Sequence, residues 1–95
     1  MTNTAIVERI QSLLAELDAT NDKMVVIQDV KEIVDIFRQL QFPDDKQVEL
    51  AACTVAFIDP LKDYLTERIS DQPTANSRGF MNVGFHALSS IVQTF

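Results

Sequence analysis

Phe80-Met81-Asn82-Val83-Gly84-Phe85-His86-Ala87-Leu88-Ser89-Ser90-Ile91-Val92-Gln93-Thr94-Phe95 is a run of sixteen residues with no charged side chain. Its apolar residues keep a helical period. Met81, Phe85, Leu88, Val92 and Phe95 recur at spacings of four and three, and Phe80, Val83, Ala87 and Ile91 make a second stripe beside them. Only a thin polar edge is left, made of Asn82, His86, Ser89, Ser90 and Gln93. All fourteen acidic residues lie upstream, the last being Asp71. Such a helix in an acidic chain must be kept from water, either by the rest of the chain or by a partner.

Working back from this segment, Ser70 to Gly79 is polar, holds one Pro and one Gly, and reads as a loop. Before it, Leu61, Tyr64, Leu65 and Ile69 carry an amphipathic stripe. Asp59-Pro60 interrupts the helix upstream, as a kink or as a fresh start with proline at its first position. The stretch Leu50 to Ile58 is apolar all round apart from Thr54, the pattern of a buried helix. Phe42-Pro43 stops the preceding helix, because the residue before a proline is pushed out of helical geometry. Asp44 reads as the next cap, with Gln47 in the capping-box position.

Two amphipathic helices open the chain. Ile6, Val7, Ile10, Leu13, Leu14 and Leu17 line one face of the first, with Thr2, Asn3 or Thr4 able to cap it. The second spans about residues 22–41 on Val26, Val30, Ile33, Val34, Phe37 and Leu40, with Asp29 on its wet side. Asp18 to Asp22 is a short polar turn, suited to antiparallel neighbours. Met24 to Ile27 is β-branched enough for a strand, but no second strand is available to pair with it.

Composition narrows the function classes. Two glycines and three prolines in 95 residues are too few for the turns of an all-β domain. The net charge is −6, and no cluster of Lys or Arg offers a surface for a phosphate backbone or an anionic membrane. One cysteine, Cys53, excludes an internal disulfide and fits a reduced compartment. The N-terminus lacks the basic start and long apolar core of a signal peptide, so a cytoplasmic location is expected. No phosphate-binding glycine loop, zinc motif or nucleophile elbow is present, and no cofactor is expected.

The expected fold is therefore all-α: one domain over residues 1–95, a small antiparallel bundle of four to five helices. So small a bundle has difficulty burying both the middle of the third helix and the whole of the last. That points to a homodimer through the C-terminal helix, with Phe80, Met81, Phe85, Leu88, Ile91, Val92 and Phe95 at the interface. The expected function is a non-enzymatic interaction or regulatory module that binds a partner protein. An alternative uses the acidic stripe Asp59, Asp63, Glu67 and Asp71 as an inhibitor-like or immunity-type face against a basic or nucleic-acid-binding surface. A second alternative is a small enzyme in which folding brings carboxylates to His86, the only histidine. Cys53 reads as a small buried hydrophobe. Asp44, Asp45 and Glu49 form the densest acidic group; helix capping accounts for Asp44 and Asp45, and with no glycine-turned loop around an ion the group does not read as metal ligands.

Overall fold

The computed structural model describes residues 1–94. Among them the regular structure is entirely helical, in agreement with the all-α expectation. Five α-helices are present: α1 Asn3–Ala19, α2 Lys23–Phe37, α3 Gln47–Cys53, α4 Asp59–Ile69 and α5 Ala75–Val92. A turn of 3-10 helix, Asp44–Lys46, leads into α3, and a π-helical segment, Thr54–Ile58, joins α3 to α4 without a loop. Met24 to Ile27 lies inside α2. The backbone gathers into two compact units, Met1–Leu40 and Gln41–Phe95, where the sequence reading has one domain.

The first unit is a hairpin of α1 and α2. Thr2 caps α1 by accepting from the Ala5 amide at 3.1 Å, and Asp22 caps α2 by accepting from the Met24 amide at 2.9 Å. Such caps contribute on the order of 1 kcal/mol each by satisfying amides that have no intrahelical acceptor. Three residues separate the helices, so they run antiparallel and pack on each other. All six apolar residues expected on the inner face of α1 are buried, from Ile6 to Leu17. Val26, Val30, Ile33 and Phe37 do the same for α2. Arg9 and Glu32 tie the helices on the outside at 2.7 Å. Both ends of that pair are exposed, so salt screens it.

The second unit is a rod, α3–π–α4, with α5 folded back along it. Gln47 does not close a capping box: its amide donates to the carbonyl oxygen of Phe42 at 2.9 Å and so holds the entering strand of chain. At Asp59-Pro60 no loop breaks the helix, and the capping position of α4 falls on Ile58 rather than Asp59. Pro60 sits in the first turn of α4 and the helix runs on through it. A proline has no N–H to give the carbonyl four residues back, here that of Ala56, and the wider π turn lies over that gap.

The return of the chain comes earlier than the sequence suggests. α4 ends with the Gln72 amide donating to the Glu67 carbonyl at 2.8 Å and Asp71 in the left-handed region at φ 56°. This is the Schellman arrangement, which usually employs glycine. α5 starts at Ala75, so residues 75–79 of the expected loop are helical. Ser77 is buried and its hydroxyl donates to the Thr74 carbonyl at 3.1 Å.

Candidate interaction surface

The position of α5 on the rod is fixed by one glycine. A β-carbon on Gly84 would lie 2.6 Å from the carbonyl carbon of Ala56 and 2.8 Å from the α-carbon of Phe57, and closer still to the Ala56 oxygen. Real β-carbons do not come so near to backbone, so only glycine permits this approach. Around the crossing, Cys53, Phe57, Leu61, Tyr64, Met81 and Leu88 are buried. The rings of Phe57 and Phe85 meet at 6.0 Å between centroids with a 51° tilt, an ordinary aromatic pair.

The opposite side of the same crossing is apolar and open. Because α5 runs antiparallel to the rod, stepping back one residue from the point of closest approach turns to the same side on both elements. Ala56 gives way to Val55 and Gly84 to Val83, away from Phe57 and Met81. Val55 and Val83 are 64% and 70% exposed. Further from the crossing, in opposite directions along it, Val48 on α3 is 81% exposed and Phe80 on α5 is 63% exposed. Ala51 and Ala52 are exposed beside them. The expectation that the middle of the third helix is buried all round is thus corrected: half of its circumference faces water without a charge.

The expected interface residues divide accordingly. Met81, Leu88 and Val92 are buried within the chain. Phe85 and Ile91 are half-buried, Phe85 against Phe57. Phe80 is exposed, and Phe95 lies outside the described residues. The outward face of the last helix is the second stripe, Phe80 and Val83, and its companion on α3 was not anticipated. The signal for it is the absence of any polar side for α3 to turn to water.

Of the acidic stripe, Asp59, Asp63 and Asp71 are exposed and Glu67 is half-buried. Arg68, in the same helix, donates to the Tyr64 hydroxyl and lies 5.4 Å from the centre of its ring. His86 is exposed on α5, and no ion pair joins it to a carboxylate among the described residues. Cys53 is buried, and burial followed by the charge of Glu49 pushes its thiol up from its ordinary pKa. No three His, Cys, Asp or Glu residues among those described converge where an ion could sit.

One charged group of the hairpin is buried contrary to its sequence pattern. Asp29 is only 6% exposed and its Oδ2 has no hydrogen-bond partner. Burial raises its pKa most, the charge of Glu16 adds to this, and a side-chain hydrogen bond with Glu16 raises it further. Glu32 pushes the same way and Arg9 opposes.

Comparison with known proteins adds no relative: no family model, no curated protein and no solved structure matches the chain. Among the described residues no helix is long and apolar enough to cross a membrane.

Proposed function

We propose that this protein is a non-enzymatic interaction module of the cytoplasm, which binds a polypeptide chain through the open side of the α3–π–α5 crossing. The observation that carries the reading is the exposure of Val55 and Val83 on the same side of the crossing, with Val48 and Phe80 exposed further along α3 and α5. These four side chains present on the order of 500 Å² of apolar surface, at the upper end of what a monomeric protein leaves to water without a use for it. Three valines and a phenylalanine held on packed helices form a preorganised surface, so little ordering entropy opposes docking. The test is site-specific photo-cross-linking in the producing cells. A benzophenone side chain at position 55 or 83 is expected to capture a polypeptide, while one at the exposed Ser12 on α1 is not. Equal capture from all three positions, or from none, refutes the reading.

A second reading is supported by the acidic stripe. Asp59 and Asp63 are exposed on α4, Asp71 is exposed just past its C-terminal end, and Arg68 of α4 is held on the Tyr64 ring. A basic target surface fits such a face. Binding of that kind must weaken as salt rises from low to physiological, and a salt-independent affinity for a basic protein excludes it.

A further inference from the structure

We infer that the polypeptide seated on the α3–π–α5 face is a second copy of this chain, related to the first by a two-fold axis that passes through the Val55 and Val83 region. The inference rests on the reading above and names the partner. Its first ground is charge. The chain carries a net −6, so two copies repel each other at a distance. A two-fold interface sets each residue near the axis against its own image, and a charge there meets an identical charge. The centre of this face holds none. From Leu50 to Ile58 and from Gly79 to Thr94 there is no Asp, Glu, Lys or Arg. The nearest charges along the rod are Glu49, next to Val48, and the exposed Asp59, one turn beyond Val55, so they stand at the margin of the face and not at the axis; on α5 it is Arg78, whose guanidinium donates to Asn82 at 2.6 Å. A face selected for a basic partner would carry acids among its apolar residues. A face selected for its own copy keeps its charges away from the axis, where each would meet its own image.

The second ground is area. A stable dimer buries about 800 Å² per partner, of which the apolar centre is the larger part. Val55 and Val83 supply the apolar centre, and Val48 and Phe80, further out on either side, bring the exposed apolar area to roughly 500 Å². The exposed Ala51, Ala52, Gly79 and Asn82 around it supply the margin. Gly79 matters for shape: a β-carbon there would meet nothing within 4 Å, so the outer surface of α5 is locally flat and another helix can lie close. Phe80, beside it, is the one large side chain that projects, and in a two-fold arrangement it has a flat strip of the partner to lie on.

The experiment is the mass in solution, by light scattering on a sizing column, across a hundredfold range of concentration. It is run for the wild-type chain and for the single variants Val83→Asp, Val55→Asp and Val48→Glu. Wild type is expected at twice the chain mass of 10.7 kDa, with the variants at the single mass and with unchanged helicity by circular dichroism. A charge at the centre weakens the association at least about thirtyfold, the level of an interface hot spot. Val48→Glu guards against misfolding as the cause. It places an acid in the first turn of α3, where the helix dipole favours it, so the fold is retained and only association is lost. A wild-type chain that stays at 10.7 kDa throughout overturns the second-copy inference but leaves a different polypeptide as occupant, which the cross-linking reveals by its mass. A dimer that persists in all three variants overturns both, because association then uses another face.

Discussion

Gly79 and Gly84 lie five residues apart in α5, and alanine at each should move stability in opposite directions. At Gly79 the new methyl group meets open space. Alanine is the better helix former by about 0.8–1 kcal/mol, because glycine loses more backbone freedom on folding. In the single chain, at a dilution where copies have separated, Gly79→Ala is therefore expected to stabilise the fold by up to that amount. At Gly84 the same gain is offset by overlap with the Ala56 carbonyl and the Phe57 α-carbon, 2.8 Å away. Both are backbone, so no rotamer change relieves the overlap, and α5 must draw back from the rod. The withdrawal loosens Met81 and Leu88 against Cys53 and Phe57, all now buried. Overpacking of this kind costs about 1–3 kcal/mol, and separating well-packed helices puts the site at or above the upper end. The net expectation is a loss of about 1–2 kcal/mol, so the two variants should differ by about 2–3 kcal/mol. Urea unfolding followed by circular dichroism resolves a gap of that size through the midpoint, provided the slope is unchanged. Equal midpoints for the two variants would show that α5 does not approach the rod at Gly84 as described.

Other perturbations have equally definite outcomes. Asp29 has a raised folded-state pKa, so in the window between the ordinary carboxylate value and that raised value the folded chain holds a proton that the unfolded chain has released. Its contribution to stability therefore falls as pH rises through the window. Asp29→Asn is expected to stabilise the chain at neutral pH, with an advantage that shrinks on acidification; an advantage independent of pH between 4 and 8 (about the working range of the melt) would refute the assignment. Asp71→Gly removes an L-residue from φ 56° and a negative charge from the C-terminal end of α4, and should raise the melting temperature by a few degrees, corresponding to about 1 kcal/mol. A lowered melting temperature would mean that the aspartate side chain contributes more than its backbone conformation costs. Cys53 should react with a thiol reagent far more slowly in the folded chain than in urea, since it is buried and its thiolate is disfavoured. Labelling at the rate of a free thiol would place it at the surface.

The parts of this structure legible in the sequence are those where one residue type has one physical use. The stripe from Ile6 to Leu17 has a helical period and no competing reading, and its six residues are buried as that period requires. Asp22 and Thr2 stand where a helix begins and both accept an amide hydrogen. The illegible parts are those where partners outside the local sequence decide. Asp29 follows Gln28 on what reads as the wet side of α2, yet lies one position from Val30 and is covered when α1 packs on α2. Ser77 looks like loop material, but its hydroxyl answers the Thr74 carbonyl and lets α5 begin there. Pro60 announces an interruption without saying which kind, and the apolar circumference of α3 announces burial without saying by what.

Those last two features have a common cause. Cys53, Phe57 and Leu61 are all buried, and they are four residues apart twice over. In a regular α-helix each step of four overshoots a full turn by about 40°, so two steps would swing Leu61 about 80° off the line of Cys53. The wider π turn at Thr54–Ile58 takes up that drift and keeps all three on the core side. Pro60 makes the wider turn the cheaper one, since an unbroken α-helix would want a hydrogen bond from a nitrogen that has no hydrogen. Gly84 then fits against the backbone at the same point. With the core line held straight along the rod, Val55 turns to the outer side with Val83, and Val48 is exposed further along α3. The exposed apolar face is in this sense not a defect of packing around a small core. It is what the π turn, the proline and the glycine jointly present to the surface, and the lack of charge at Val55 and Val83 themselves is what the proposed docking rests on.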